Sequence, residues 1–158
     1  MIVSPLRTAR FPVPLEQDAT PGADAVPAAR RLVVAILEEW GVPLAGETWQ
    51  EVELCTSELI ANALLHTGER CTVTVRRLAG RVRVEVADRR ADLPTRERDE
   101  ESTGGRGLLL VDSLTHAWGW HPVGGGKVVW FERLEAAEAP CPTHGWGTAR
   151  SLNALCGA

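Results

Sequence analysis

The sequence lacks the features of a disulfide-bonded, secreted or membrane-spanning protein. Its four cysteines, Cys55, Cys71, Cys141 and Cys156, have no paired spacing, which favours reduced thiols over a disulfide framework. No apolar run approaches the roughly 20 residues that a membrane-spanning helix needs, and no basic segment at the N-terminus leads into an apolar run with a cleavage site. We therefore expect a cytoplasmic protein that does not enter a membrane.

Blocks of like charge and two common nucleotide-binding motifs are also missing. The net charge is only −4, and the arginines are spread along the chain rather than grouped, so no electrostatic footprint for nucleic acid or an anionic membrane is present. Neither a P-loop ending in Lys-Ser/Thr nor the six-residue dinucleotide fingerprint occurs. These absences argue against a DNA-binding protein.

The length and composition predict one globular domain with loose ends. The chain has 158 residues, of which 44% are hydrophobic, enough for one substantial core. We assign residues 1–135 to this domain. The tail, residues 136–158, is rich in small residues and proline, so it has too little apolar surface to offset the entropy of ordering, and we expect it to be poorly ordered.

Apolar periodicity predicts the order of the elements along the chain. In sequence, they are an edge strand at Thr8–Val13, helices at Ala25–Trp40 and Glu51–Thr67, strands at Cys71–Leu78 and Arg81–Asp88, a helix at Leu108–Ala117, and strands at Trp118–His121 and Lys127–Leu134. Each pair of consecutive strands reads as a hairpin. This order predicts an α+β fold, a two-layer sandwich with helices on one face of a mixed, mostly antiparallel sheet.

Local signals mark where these helices begin and end. Asp24 is a candidate N-cap for the first helix and Gly41 ends it. Thr48 and Glu51 have the spacing of a capping box, which predicts that the second helix begins there, and Gly68 ends it. The fifteen residues Arg89–Thr103 are charged and aperiodic, longer than an ordinary connection, and we interpret them as a lid.

The second helix carries polar residues in one narrow wedge. At about 100° per residue, Glu51, Cys55, Glu58, Asn62 and His66 share this wedge, and apolar residues occupy most of the remaining surface. A helix buried on most sides should not hold a carboxylate and an amide one turn apart unless both are satisfied, because burying an unpaired charge costs several kcal/mol. A bound ligand or metal ion is the expected partner.

Three features could carry chemistry. In the first, Glu58 and Asn62 lie on one helix face, where the amide oxygen could bind Mg²⁺ and the carboxylate could orient or deprotonate a nucleophile. The structural alternative is a helix face that hydrogen-bonds a loop. In the second, Asp88 ends a strand and could accept from an amino group such as that of adenine; alternatively, it is a turn residue.

The third feature is the run Gly104-Gly105-Arg106-Gly107, which opens a helix. Free backbone N–H groups and the positive end of a helix dipole favour a phosphate at such a position. A flexible junction between the loop and the helix is the alternative. Alone, each of the three features is weak, but their order and separation along the chain are informative.

Together, these features resemble the ATP-binding domain shared by gyrase, Hsp90, histidine kinases and the mismatch-repair protein MutL. The resemblance is closer still to the anti-sigma-factor serine/threonine kinase branch of this superfamily, of the RsbW and SpoIIAB type. The segments that carry it are AVPAARRLV with EEWG, SELIANALLH, VEVAD, GGRGLLLVDSL, WGW and GGGKVVWFE. They span roughly residues 10–134 and imply the Bergerat, or histidine kinase-like ATPase, fold.

The resemblance also implies roles for individual residues. Glu58 corresponds to the catalytic or water-orienting carboxylate, Asn62 to the Mg²⁺ ligand and Asp88 to the adenine contact. The phosphate-side turn corresponds to Gly104, Gly105, Arg106, Gly107 and Leu108, and the ATP lid to Arg89–Gly104. His66 shares the helix wedge, but the chemistry of the superfamily does not require it, so we interpret it as structural.

Two positions depart from the pattern of the superfamily. Relatives follow the adenine-binding aspartate with glycines, whereas Arg89 and Arg90 follow Asp88 here, which implies a differently shaped nucleotide pocket. Many relatives also have a threonine in the last strand that joins the adenine hydrogen bonds. The nearest positions in this sequence are Val128 and Val129, whose side chains can donate nothing.

The resemblance implies an ATP- and Mg²⁺-dependent serine/threonine protein kinase that acts as an anti-sigma factor. Its partners would be an anti-anti-sigma protein of the STAS type, which receives the phosphoryl group on a serine, and a sigma factor; relatives also form homodimers. A second hypothesis is a nucleotide- or partner-binding switch without useful catalysis. A third, a fragment of a two-component histidine kinase, is less favoured because no dimerisation helix pair with a phospho-acceptor histidine is present.

Overall fold

The computed structural model describes residues 6–14, 24–68, 70–90 and 105–136. These residues form three helices and five strands, in the order β1 Arg7–Val13, α1 Ala25–Glu39, α2 Gly46–Thr67, β2 Cys71–Leu78, β3 Arg81–Asp88, α3 Gly105–Leu114, β4 Ala117–Val123 and β5 Gly126–Leu134. Within these ranges, no helix combines the length and the hydropathy that a membrane crossing requires.

The five strands form one sheet in the order β1-β2-β3-β5-β4. Each of the four neighbouring pairs is antiparallel, so the described sheet is antiparallel throughout, where the sequence predicted a mixed, mostly antiparallel one. β1 lies at one edge, at the position of the predicted edge strand. The predicted α+β fold class is confirmed.

Alternation of buried and less buried residues along β2 and β3 explains why the helices pack on one face of the sheet. Side chains at alternate positions point to opposite faces, and antiparallel partners such as Val86 and Val129 point to the same face. The face toward the helices is fully or almost fully buried and carries Val73, Val75, Val82, Val84, Val86, Val129 and Phe131. The other face carries ion pairs between strands, including Arg76 with Glu85 and Arg81 with Glu132.

The start of α2 differs from the prediction. The helix begins at Gly46, and Ala45 at the N-cap makes no side-chain capping bond, so the predicted capping box is wrong. Thr48 and Glu51 lie inside the helix and both accept from the guanidinium of Arg133 on β5. The pair therefore attaches α2 to the far end of the sheet instead of starting the helix.

The end of α2 agrees with the prediction, but the burial of its surface does not. The helix ends at Thr67, followed by Gly68 in the left-handed conformation, as predicted. Its apolar surface is less buried than expected, since the side chains of Leu54 and Leu65 are 39% and 68% exposed. Only one side of α2 faces the core, so Glu51, Glu58 and Asn62 of its polar wedge are only partly buried, whereas Cys55 is fully buried.

Two further boundaries are shifted. The sequence predicted a helix at Leu108–Ala117, but α3 spans Gly105–Leu114, because Ala117 pairs with Glu132 and opens β4. The turn between β4 and β5 has positive φ at both Gly124 and Gly125, 51° and 84°, a conformation that tight hairpin turns require and that glycine adopts without strain. The second hairpin is therefore longer than predicted, with β4 at Ala117–Val123.

A buried hydroxyl in α2 supports a stability prediction. Thr56 is 0% exposed, and its Oγ1 has no hydrogen-bond partner within the described part of the chain. Thr56→Val keeps the shape and removes the unsatisfied group, so we expect the free energy of unfolding to rise by about 1 kcal/mol. Urea denaturation would measure the change.

The same helix offers a matched control for this substitution. Thr67 Oγ1 donates to the carbonyl oxygen of Ala63 at 2.7 Å, so Thr67→Val removes a satisfied hydroxyl and should not stabilise the protein. An equal effect of the two substitutions on the urea midpoint would contradict the explanation.

Candidate functional site

Glu58 and Asn62 on α2 meet Gly107 in the first turn of α3. A Cβ at position 107 would overlap Glu58 Oε2, and it would lie 3.3 Å from Glu58 Cδ and 3.5 Å from Asn62 Nδ2. Only glycine fits here while the Glu58 carboxylate keeps this position. The structure thus brings together three residues that the sequence analysis selected from two separate segments.

The chemistry of Glu58 and Asn62 fits a hard cation. Both side chains are half-buried, and among the residues that the structure describes neither has a hydrogen bond or an ion pair. Carboxylate and amide oxygens are ligands that Mg²⁺ accepts, usually together with water and substrate phosphates. The pair therefore has unused polar groups directed at the start of a helix, where a metal–phosphate group would also be stabilised by the helix dipole.

The start of α3 presents backbone N–H groups beside this pair. α3 begins at Gly105, and the first four N–H groups of a helix have no partner within the helix. Arg106 is exposed, and the Leu108 side chain is only 6% exposed and packs in the core. Leu108 could therefore contact a phosphate only through its backbone. Gly104 lies outside the described residues.

Asp88 lies at the end of β3, in a polar cluster of its own. Its side chain is 3% exposed and pairs with Lys127, whose Nζ lies 3.3 Å from Oδ1 and 3.2 Å from Oδ2. The backbone N–H of Arg90 donates to Oδ1 at 2.8 Å, and Lys127 Nζ donates to the Arg90 carbonyl at 3.1 Å. A cation and a backbone donor therefore fix the position of the Asp88 side chain.

Lys127 is the residue of this cluster that the sequence analysis missed. The sequence analysis placed the counterpart of the threonine of relatives at Val128 or Val129, whereas the residue that the register pairs with Asp88 is Lys127. Val128 pairs with Ala87 and points to the other face of the sheet, and Val129 pairs with Val86 one step further along the inner face. Strand alternation could have shown that Lys127 points to the helix-facing side of the sheet, because it lies two and four positions before the buried Val129 and Phe131.

The two clusters lie at the same end of the molecule. α2 ends at Thr67, and β2 begins at Cys71, next to the register pair of Thr72 and Ala87. The C-terminal end of α2 therefore lies close to Asp88, and Asn62 precedes that end by about 7.5 Å of helical rise. The fold thus directs the metal-type ligands, the glycine turn and Asp88 toward one region.

The buried cysteines have no direct part in this site. Burial raises the pKa of Cys71 to about 12, with a further contribution from the charge of Asp88. Burial also raises the pKa of Cys55 to about 11, Arg133 acts in the opposite direction, and Glu51 and Glu58 add to the rise. Both thiols therefore stay protonated near neutral pH and serve as small core residues.

Several predicted features lie outside the described residues. These are most of the predicted lid Arg89–Gly104, of which only residues 89 and 90 are described, the tail after residue 136, and the side chain of His66.

Comparison with known proteins agrees with this geometry. Residues 19–133 match the family described as the histidine kinase-like ATPase domain. The fold is similar to that of the crystal structure of the RsbU and RsbW domains of Rv1364c from Mycobacterium tuberculosis, with a TM-score of 0.55 and 22% sequence identity. The match covers 82% of this chain but 33% of that one, so this chain spans a third of its length.

Among curated proteins, no significant sequence match was found. The family match nevertheless covers α1, α2, β2, β3, α3 and β4, together with nearly all of β5. It includes every described residue assigned to the site. The resemblance to the ATPase superfamily is therefore confirmed, and the chain belongs to the histidine kinase-like ATPase domain family.

Proposed function

We propose that this protein is an ATP-binding regulatory serine/threonine kinase that acts as an anti-sigma factor. Membership of the ATPase-domain family supports nucleotide binding. The similar fold of a solved protein described as containing an RsbW domain supports the anti-sigma kinase branch. The observation that carries the proposal is the convergence of Glu58 and Asn62 on Gly107 at the start of α3.

Each site residue has a role in this proposal. Asn62 would hold Mg²⁺, which would supply positive charge to neutralise part of the charge of the ATP phosphates. The N–H groups at Gly105 and Gly107 would bind the same phosphates, and Arg106 would lie close to them. Glu58 would orient or deprotonate the acceptor hydroxyl. Phosphoryl transfer depends mainly on such positioning and charge neutralisation, so this small set of groups is sufficient.

The proposed partners are those implied by the resemblance to the anti-sigma-factor kinase branch. The phosphoryl acceptor would be a serine of an anti-anti-sigma protein of the STAS type, and the protein would also sequester a sigma factor and function as a homodimer in the cytoplasm.

Two substitutions separate binding from catalysis. We expect the wild-type protein to bind a non-hydrolysable ATP analogue in a Mg²⁺-dependent manner, and Asn62→Ala to lose that dependence because it removes a metal ligand. Glu58→Gln should keep the binding but reduce transfer to a STAS protein by about 10²–10⁴-fold, as expected when a positioned base is lost. Isothermal titration and radiolabelled γ-phosphoryl transfer would measure the two effects.

The outcomes of these experiments also distinguish the second candidate function. Arg89 and Arg90 follow Asp88, whose carboxylate is already paired with Lys127, and this favours a nucleotide- or partner-binding switch without useful catalysis. Magnesium-dependent binding with no transfer to any candidate STAS protein would support the switch. Transfer that is unaffected by Glu58→Gln would refute the assigned role of Glu58.

A further inference from the structure

Arg133 on β5 joins α2 and α3 at the end of the two helices that lies away from the glycine turn. It pairs with the buried Val82 in the register, so its side chain points to the helix-facing side of the sheet. Nη1 donates to the carbonyl oxygen of Leu114 at 2.6 Å. Nη2 donates to Glu51 Oε2 and, at 3.3 Å, to Thr48 Oγ1. The guanidinium thus bridges the last residue of α3 and the first two turns of α2.

These contacts define how α3 lies against α2. Arg133 joins the last residue of α3 to Glu51. At the opposite end, Gly107 in the first turn of α3 lies against Glu58. The two helices are therefore antiparallel, and α3 follows the polar wedge of α2. Cys55 lies between the two glutamates on this wedge and is fully buried, so we place it under α3.

The apolar anchors of α3 leave its C-terminal end dependent on Arg133. Leu108 and Val111 are buried in the core, whereas Leu114 is only partly buried. Along the helix, Val111 lies about 4.5 Å from Leu114 and about 6 Å from Gly107. A tilt about Val111 that moves Leu114 by about 1 Å would therefore shift Gly107 by a similar distance, which is enough to impair a reaction that depends on position.

We propose that Arg133 is a positioning residue for phosphoryl transfer, which fixes the tilt of α3 against α2 and thereby the position of Glu58 relative to the glycine turn. This inference rests on the proposed function and adds to it a residue that touches neither nucleotide nor acceptor. Arginine suits the role because its planar guanidinium can bond acceptors on two helices at once. Its positive charge is also favourable at the C-terminal end of α3.

The first test measures phosphoryl transfer at saturating ATP to a STAS protein that the wild type phosphorylates. Arg133→Met keeps the apolar part of the side chain but removes both bonds, so kcat should fall about tenfold or more. In a protein that already carries Glu58→Gln, the same substitution should change kcat by less than about twofold, because residues that act through one another are not additive.

Arg81→Met is the matched control for the transfer measurement. Arg81 also pairs with a glutamate of β5, Glu132, at 3.2 Å, and it lies next to Arg133 in the sheet but on the face away from the helices. Removing it should leave kcat unchanged, because neither α2 nor α3 contacts that face.

The second test measures the docking of α3 independently of activity. Iodoacetamide labelling, followed by mass spectrometry, should show Cys55 reacting about tenfold faster in Arg133→Met than in the wild type, because local opening becomes easier. Burial raises the pKa of Cys55 and Arg133 opposes this effect, so loss of the charge alone would slow the reaction. Faster labelling would therefore report access to the thiol.

Cys71 serves as an internal reference for the labelling. It is buried on β2, between β1 and β3, whereas α3 packs on α2 and β4. Its labelling rate should stay unchanged if only α3 is loosened, but it should rise together with that of Cys55 if the whole domain is destabilised.

Arg133→Lys covers the case in which Arg133→Met does not fold. Lysine keeps the charge but lacks the planar fork that bonds both helices, so kcat should fall by about threefold and Cys55 should label faster than in the wild type. If Arg133→Met does not fold, wild-type values of both quantities in Arg133→Lys would overturn the inference.

Three results with a folded Arg133→Met would overturn the inference while leaving the proposed function intact. The first is an unchanged kcat, and the second is an equal loss of kcat with and without Glu58→Gln. The third is an equal acceleration of labelling at Cys55 and Cys71, which would mean that Arg133 only stabilises the domain. If the wild type phosphorylates no STAS protein, the proposed function itself fails, and the inference fails with it.

Discussion

Gly107→Ala is expected to reduce phosphoryl transfer by about 100-fold or more, because the new methyl group would occupy the place of the Glu58 carboxylate. Displacing a positioned catalytic group by about 1 Å can have an effect of this size. The clash is with the end of a flexible, half-buried side chain that can move away, and alanine favours the helix over glycine, so the free energy of unfolding should change by only about 1 kcal/mol or less. Transfer to a STAS protein and urea denaturation would measure the two effects.

Gly46→Ala is the matched control. Gly46 is also in the first turn of a helix, but no atom lies within 4 Å of a Cβ placed there and its φ is not positive. Alanine at position 46 should therefore leave transfer and nucleotide binding unchanged. If Gly107→Ala retained full transfer, the packing of Glu58 against α3 would have no catalytic significance.

Glu135→Ala is expected to lower the free energy of unfolding by about 3–5 kcal/mol. Glu135 accepts from Arg77 Nε at 2.9 Å and from Nη2 at 3.0 Å, and Arg77 Nη1 donates to the Trp40 carbonyl at 2.8 Å. The side chains of Arg77 and Glu135 are 8% and 7% exposed. Without Glu135, a buried guanidinium loses its counter-charge, and Tm should fall by roughly 6–20 °C.

The hydrogen bond to Glu135 raises the pKa of Arg77, but an arginine side chain stays protonated in proteins even without such a partner, so the variant cannot escape this cost by deprotonation. Glu85→Ala provides the comparison, because Glu85 pairs with Arg76 and Arg83, whose side chains are 42% and 23% exposed, and such partly exposed pairs contribute about 1 kcal/mol or less each. The double substitution Arg77→Met, Glu135→Leu should be much less destabilising than Glu135→Ala. Equal losses for Glu85→Ala and Glu135→Ala would contradict the assignment.

Much of the fold could be predicted from the sequence because the local signals agree with one another. Alternating valines gave both bounds of β2 and β3, and Gly41 and Gly68 follow the first two helices in left-handed conformations, as predicted. The predicted helix boundaries are wrong where a contact with a residue distant in sequence determines the local structure. Ala117 reads as helical but pairs with Glu132, and Thr48 and Glu51 read as a cap but bind Arg133.

The candidate site could likewise be predicted only in part from the sequence. Helical periodicity alone placed Glu58 and Asn62 on one face, and the glycine run identified the turn at Gly107. Their contact could not be derived from spacing, because α2 and α3 are separated by a hairpin and a long loop. Lys127 was missed because its partner, Asp88, lies on a strand that is not its neighbour in the chain.

By itself, the sequence determined the elements, the helix-facing side of the sheet and the residue types available for chemistry, since these depend on local backbone preference and apolar periodicity. Only the tertiary structure decided how the charges pair. Lys127 with Asp88, Arg77 with Glu135 and Arg133 with Glu51 each join segments at least 39 residues apart. The partner of a charge depends on strand register and helix docking, which no local pattern encodes.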